Sequence, residues 1–223
     1  MDWSNFLIFT LISSLEYSAM IIFIAALFRF RYFLNMKFHI LTVCILLSYV
    51  SYTTRTIYEL TIGSTLIQLG LMIVFIWLLF RVQVFYAALL MLAGFMGYSA
   101  VQMIFVFLFT SFNVFTTDDL ALLKWPTHLL PIATSIFFYL VSWIIIKKNW
   151  GFSFVPDQSD AHFKIKLDNI LMLGLITITF LILIILHGVG YTLIENLYIG
   201  SSLYIILFAL IIVYAIRRDR NDD

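Results

Sequence analysis

The sequence predicts an all-α fold, a polytopic bundle of seven transmembrane helices. Three observations predict it. Of 223 residues, 63% are hydrophobic and only 11% charged, whereas a soluble domain carries about a quarter charged residues; the mean hydropathy is +1.06. The apolar residues collect into seven runs, near the ~20 residues a helix needs to cross a hydrocarbon core. The basic residues concentrate in every second loop between those runs, which gathers them on one side of the membrane as in a multi-pass protein.

The first run, residues 6–28, is interrupted by a single ionisable side chain, Glu16. The second, 38–58, holds Arg55 near its end, and the third, 61–80, follows almost at once. Arg55 and Glu59 are all that divide these two, so six spans is the alternative reading there. The fourth run, 84–112, is longer than one perpendicular crossing requires, which predicts tilt or a bend. Within it Ala93, Gly94 and Gly97 give the spacing of small residues that lets helices approach closely. The fifth covers 127–146. The sixth, 170–186, is short and leads into a turn at His187-Gly188-Val189-Gly190. The seventh, 191–216, stops at Arg217-Arg218-Asp219-Arg220. Residues 1–216 therefore read as one integral membrane domain and 217–223 as a short charged cytoplasmic tail.

The basic residues orient the chain in the cell membrane. With the N-terminus outside, Arg29, Arg31, Lys37, Arg81, Lys147, Lys148, Lys164, Lys166, Arg217, Arg218 and Arg220 all lie on the cytoplasmic side, and only Arg55 and Lys124 outside. This bias supports an odd number of spans. Trp3 and Trp125 then suit an outer aromatic belt, Trp77 and Trp150 an inner one. The loop around His162, Lys164 and Lys166 is expected to rest on the anionic inner leaflet. The outer loop 113–126, with Asp118-Asp119, reads as a solvated connector.

Several function classes are excluded. The net charge is +1 and no basic stripe carries interleaved aromatics, so nucleic acid is not a partner. A single cysteine, Cys44, rules out an internal disulfide or a paired-cysteine zinc or redox motif. The N-terminus lacks the basic segment and small-residue cleavage site of a removed signal peptide. The histidines His39, His128, His162 and His187 are expected at the membrane boundaries, so no haem is implied, and no other cofactor or metal either. No hydrolase, protease or nucleotide-binding motif occurs, and the protein is not read as an enzyme.

Polar residues inside a bilayer cost free energy and mark pockets, pathways or packing pairs. Here they are Glu16 near the middle of the first span, Arg55 and Glu59 at the outer end of the second, Gln68 in the third, Gln102 near the middle of the fourth, and Glu195 beside the last outer turn. All fall at the midplane or outside it, and the inner halves are apolar. A channel needs polar groups along its whole path, so the pattern predicts an outward-facing polar pocket with a closed floor. Its expected lining is Glu16, Arg55, Gln68, Gln102 and Glu195, with Arg55 the partner of Glu16 or Glu59. The competing reading is a buried structural pair with the glutamines joining helices.

The strings Leu15-Glu16-Tyr17-Ser18-Ala19, Leu27-Phe28-Arg29-Phe30-Arg31, Ser51-Tyr52-Thr53-Thr54-Arg55, Leu66-Ile67-Gln68-Leu69 and Trp77-Leu78-Leu79-Phe80-Arg81-Val82 resemble the multi-span sensor domains of Gram-positive histidine kinases of the accessory-gene-regulator type. The similarity in layout covers roughly residues 5–216. It implies a bacterial membrane domain that binds an extracellular signal, often a peptide, and passes it inward. With seven residues after the last span, no kinase domain is expected to follow. The expectation is a receptor-like protein that binds an extracellular peptide or small molecule and acts through a separate cytoplasmic partner, such as a kinase. The alternative is a substrate-binding membrane component of a transporter, coupled to an ATPase module.

Overall fold

The computed structural model describes residues 3–58, 61–115, 125–155, 170–171, 174–179, 181–182 and 197–222. Among them every regular element is helical. In lipid each backbone N–H and C=O must be satisfied within its own segment, which helices achieve and open strands do not. The elements are α1 (Trp3–Leu27), a 3₁₀ turn (Arg31–Met36), α2 (Lys37–Tyr52) continued by a π-helical turn (Thr53–Ile57), α3 (Thr61–Phe80), α4 (Val84–Ser111), a 3₁₀ turn (Trp125–His128), α5 (Leu129–Lys147) and α6 (Leu197–Asp222). The described residues between 170 and 182 are also helical. Among the described residues, five helical segments are long and apolar enough to cross a membrane: Phe6–Leu27, Lys37–Ile57, Gly63–Phe80, Val84–Ser111 and Leu129–Lys147. The second and third predicted spans are thus two separate helices.

The fold centres on α1, which packs against α2, α4 and α5; α4 in turn packs against α3, α5 and α6. The small residues of α4 do what their spacing predicts. A Cβ added at Gly94 would lie 2.5 Å from Ile24 of α1, and one at Gly97 would lie 2.8 Å from Phe208 of α6.

Four described helices end on a residue other than glycine in the left-handed region, Arg81 after α3 (φ 50°) among them, and three of these residues also cap their helix: Arg29 after α1 (φ 54°), Asn113 after α4 (φ 55°) and Asn149 after α5 (φ 53°). Each of these three completes a paired C-terminal cap. The N–H groups of Arg29 and Phe30 reach back to the carbonyls of Ala26 (3.3 Å) and Ala25 (2.9 Å). Asn113 with Val114, and Asn149 with Trp150, repeat the arrangement. Carbonyls left open at the helix end are thereby satisfied.

One end of the bundle is basic. There Phe30 stacks on Phe80 at 4.7 Å, Phe152 N–H donates to the Leu27 carbonyl at 2.8 Å, Arg218 donates to the Tyr86 hydroxyl at 3.0 Å, and Asp219 accepts from Ser153 N–H at 2.7 Å. These contacts gather the C-terminal ends of α1, α3, α5 and α6 with the start of α4, and with them Arg29, Arg81, Lys147, Lys148, Arg217, Arg218 and Arg220. At the opposite end, Arg55 is the one cation among the described residues. Lys124, Asp118, Asp119, Glu59, Glu195, the segment around His162, and the turn at 187–190 lie outside the described residues, as does residue 191–196 of the seventh predicted span.

Candidate functional site

A helix turns 100° per residue, so three consecutive side chains face three directions. On α1 those residues are Glu16, Tyr17 and Ser18, and each meets a different neighbour. The Tyr98 hydroxyl of α4 donates to Glu16 Oε1 at 3.2 Å. The Tyr17 hydroxyl donates to Gln68 Oε1 on α3 at 2.9 Å. Ser18 Oγ lies 2.5 Å from the Tyr139 hydroxyl of α5. The central helix is thus tied to α3, α4 and α5 at one depth.

The Gln68 amide organises the first half of this layer. It is buried, and both its ends are used. Oε1 accepts from Tyr17 and, at 3.5 Å, from Arg55 Nη2; Nε2 donates to Ser51 Oγ on α2 at 3.0 Å. Arg55 Nε also donates to Ser64 Oγ at 3.3 Å. Arg55 itself is exposed and sits in the π-helical turn that ends α2. Turns of this kind are frequent at functional sites. The expected ion pair of Arg55 with Glu16 is replaced by these bonds: the guanidinium rests on α3, and Glu16 faces α4.

The second half surrounds the Tyr98 hydroxyl. Besides Glu16, it lies 3.3 Å from the Pro131 carbonyl and 3.2 Å from Ser135 Oγ. A phenol has one hydrogen to give, so Glu16 and the Pro131 carbonyl compete for it while Ser135 can donate to the phenol oxygen. Gln102 lies one turn along α4 from Tyr98, away from the basic end and on the same helix face. It is half-buried and makes no hydrogen bond to a described residue.

Toward the basic end the interior turns apolar. The Tyr98 ring stacks on Phe138 at 5.3 Å, and Phe138 meets Phe23 edge-on at 4.7 Å. Below lie Ile21, Ile24, Leu47, Ile76, Leu90 and Met91, all fully buried. The buried serines of that half, Ser48 and Ser142, bond to the carbonyls four residues back on their own helices.

Of the five residues expected at the site, Arg55 and Gln68 meet directly. Glu16 belongs to the adjoining cluster, Gln102 stands above it, and Glu195 is outside the described residues. Sequence reasoning missed Tyr17, Ser51, Tyr98, Ser135 and Tyr139. The readable signal was Tyr98, a phenol directly after Gly97 in the small-residue stretch that brings α4 close to its neighbours. Among the described residues, no three His, Cys, Asp or Glu side chains converge as metal ligands.

The fold and this layer are those of a helical bundle suited to a membrane. Comparison with protein-family models, with curated proteins and with solved structures finds no match to this chain.

Proposed function

We propose that this is a multi-pass sensor or receptor-like protein of the cell membrane. It takes an extracellular anionic ligand at Arg55 and acts through a separate cytoplasmic partner. The observation that carries the reading is the hydrogen-bonded path from an exposed cation to the central helix: Arg55 to Gln68 to Tyr17. A carboxylate drawn to Arg55 would compete with Gln68 for its N–H donors. Gln68 is the acceptor of the Tyr17 hydroxyl, so the change reaches α1. At its far end α1 holds the segment 151–155 through the Leu27 carbonyl, and that segment touches α6 through Asp219. The apolar interior beneath Tyr98 favours a signal carried by helices over a solute passing through.

In this reading the basic end is cytoplasmic and the N-terminus is outside. Seven passes are supported by parity. Gly97 faces Phe208 and Tyr86 bonds Arg218, so α6 runs antiparallel to α4 and begins at the end away from the basic one. The chain leaves α5 at the basic end, so one crossing between α5 and α6 would supply the remaining pass in this reading. The likeness to kinase-linked sensor domains belongs to the same proposal.

The test is thermal unfolding of the detergent-solubilised protein against short acidic peptides and organic carboxylates. A ligand at a hundredfold its Kd stabilises the native state by about 2.7 kcal/mol. At least one compound should raise the Tm of the wild type and leave Arg55→Gln unmoved. Equal stabilisation of both proteins, or none of either, overturns the proposal.

A further inference from the structure

We propose that the corner where α1 and α5 end is a binding site for an anionic phospholipid. On α5, Ile136, Leu140 and Trp143 are 53%, 57% and 59% exposed. Spaced by four and three residues, they form one stripe along the helix. Lys147 continues that stripe, its ammonium 4.8 Å from the centre of the Trp143 ring. Just beyond, Lys148 lies 5.0 Å from the ring of Trp150, itself exposed. Arg29 closes the corner from α1, donating to the Asn149 carbonyl at 3.1 Å. An apolar stripe about two turns long thus leads into three cations and two indoles, whose ring N–H groups are further donors. That sequence of surfaces matches an acyl chain topped by a phosphate.

The helix ends add to the match. Arg29 and Asn149 sit in the left-handed caps of α1 and α5, which fixes the path of the backbone where the cations gather. A lysine drawn to an indole face is held there by the ring's quadrupole, so a headgroup meets donors already placed. An acidic protein segment would use the same cations but has no need of the stripe, which is why the lipid is favoured. The site lies apart from Arg55, and its test does not depend on what Arg55 binds.

The experiment uses the full chain reconstituted in phosphatidylcholine vesicles containing a minor share of phosphatidylglycerol, with one lipid or the other brominated. Bromine quenches nearby tryptophan fluorescence. Brominated phosphatidylglycerol should quench more, relative to its share, than brominated phosphatidylcholine. Lys147→Gln/Lys148→Gln should lose that excess, whereas Arg217→Gln/Arg220→Gln should retain it. Circular dichroism of each variant confirms that the helices persist. Equal quenching by both lipids overturns the proposal, as does an excess that survives the lysine change, which would leave the corner to a protein partner. Loss of the excess in both double variants also overturns it, because general surface charge would then suffice. If inorganic phosphate removes the excess at the concentration of the brominated lipid, the corner is a soluble-anion site and the lipid assignment fails.

Discussion

The Tyr98 hydroxyl of α4 lies 3.2 Å from Glu16 Oε1 of α1, and it is the hydrogen bond this carboxyl makes among the described residues. Removing a donor from a group kept from water leaves that group to bear its desolvation. Tyr98→Phe should therefore destabilise the protein by about 1 kcal/mol, measured by graded SDS unfolding in mixed micelles. Glu16→Gln keeps an acceptor for the phenol and should cost less. A larger loss in Glu16→Gln than in Tyr98→Phe would contradict the role given to this pair.

Gln68 joins α1, α2 and α3 through one side chain, so its replacement strands several partners. Gln68→Leu should lower stability by about 2 kcal/mol, since Tyr17, Ser51 and Arg55 all lose a contact. In a double-mutant cycle with Tyr17→Phe, the coupling should be about 0.5–1.5 kcal/mol. Strict additivity would mean that the 2.9 Å contact adds nothing to the fold.

The glycines of the bundle should divide by position. Gly94→Ala forces Ile24 to move, because the new Cβ would lie 2.5 Å from two of its carbons. The expected loss is about 1–3 kcal/mol, partly recovered by Ile24→Ala in the same chain. Gly70 of α3 has nothing within 4 Å of such a Cβ. Gly70→Ala should be neutral or gain up to ~1 kcal/mol from helix propensity. Equal effects at the two positions would mean that α4 does not approach α1 as closely as described.

Orientation has a direct readout. Cys44 is the sole cysteine and is fully buried, so a Cys44→Ser background is easily labelled at one chosen position. Asn113→Cys should react with a membrane-impermeant maleimide on intact cells, and Asn149→Cys only after lysis. The reverse pattern would invert the protein in the membrane and place Arg55 in the cytoplasm.

The helices were legible because a bilayer-length apolar run is a coarse, redundant signal. Residues 61–80, read as the third span, became α3 with the same limits, and the interruption at Arg55 and Glu59 marked the end of α2. The partners of the polar residues were not legible in the same way. Pattern along the chain gives depth, but which side chains meet across helices depends on rotation about each helix axis. Of the two partners expected for Arg55, Glu16 turns instead to Tyr98, while Glu59 lies outside the described residues. Tyrosines were undercounted because their apolar rings read as ordinary span residues, although their hydroxyls hold this layer together. The caps were half legible: Asn113 and Asn149 favour left-handed backbone, whereas nothing about Arg29 announces it.

The placement of residues 16 to 18 constrains how α1 can vary over evolution. Losing or gaining one residue between Trp3 and Glu16 leaves the three side chains aimed as they are. The same change between Ser18 and Leu27 turns them by 100° relative to the anchored carbonyl of Leu27. Glutamate, tyrosine and serine would then miss their neighbours together. Relatives of this protein should accept length differences freely in the first turns of α1 and almost never within its last nine positions.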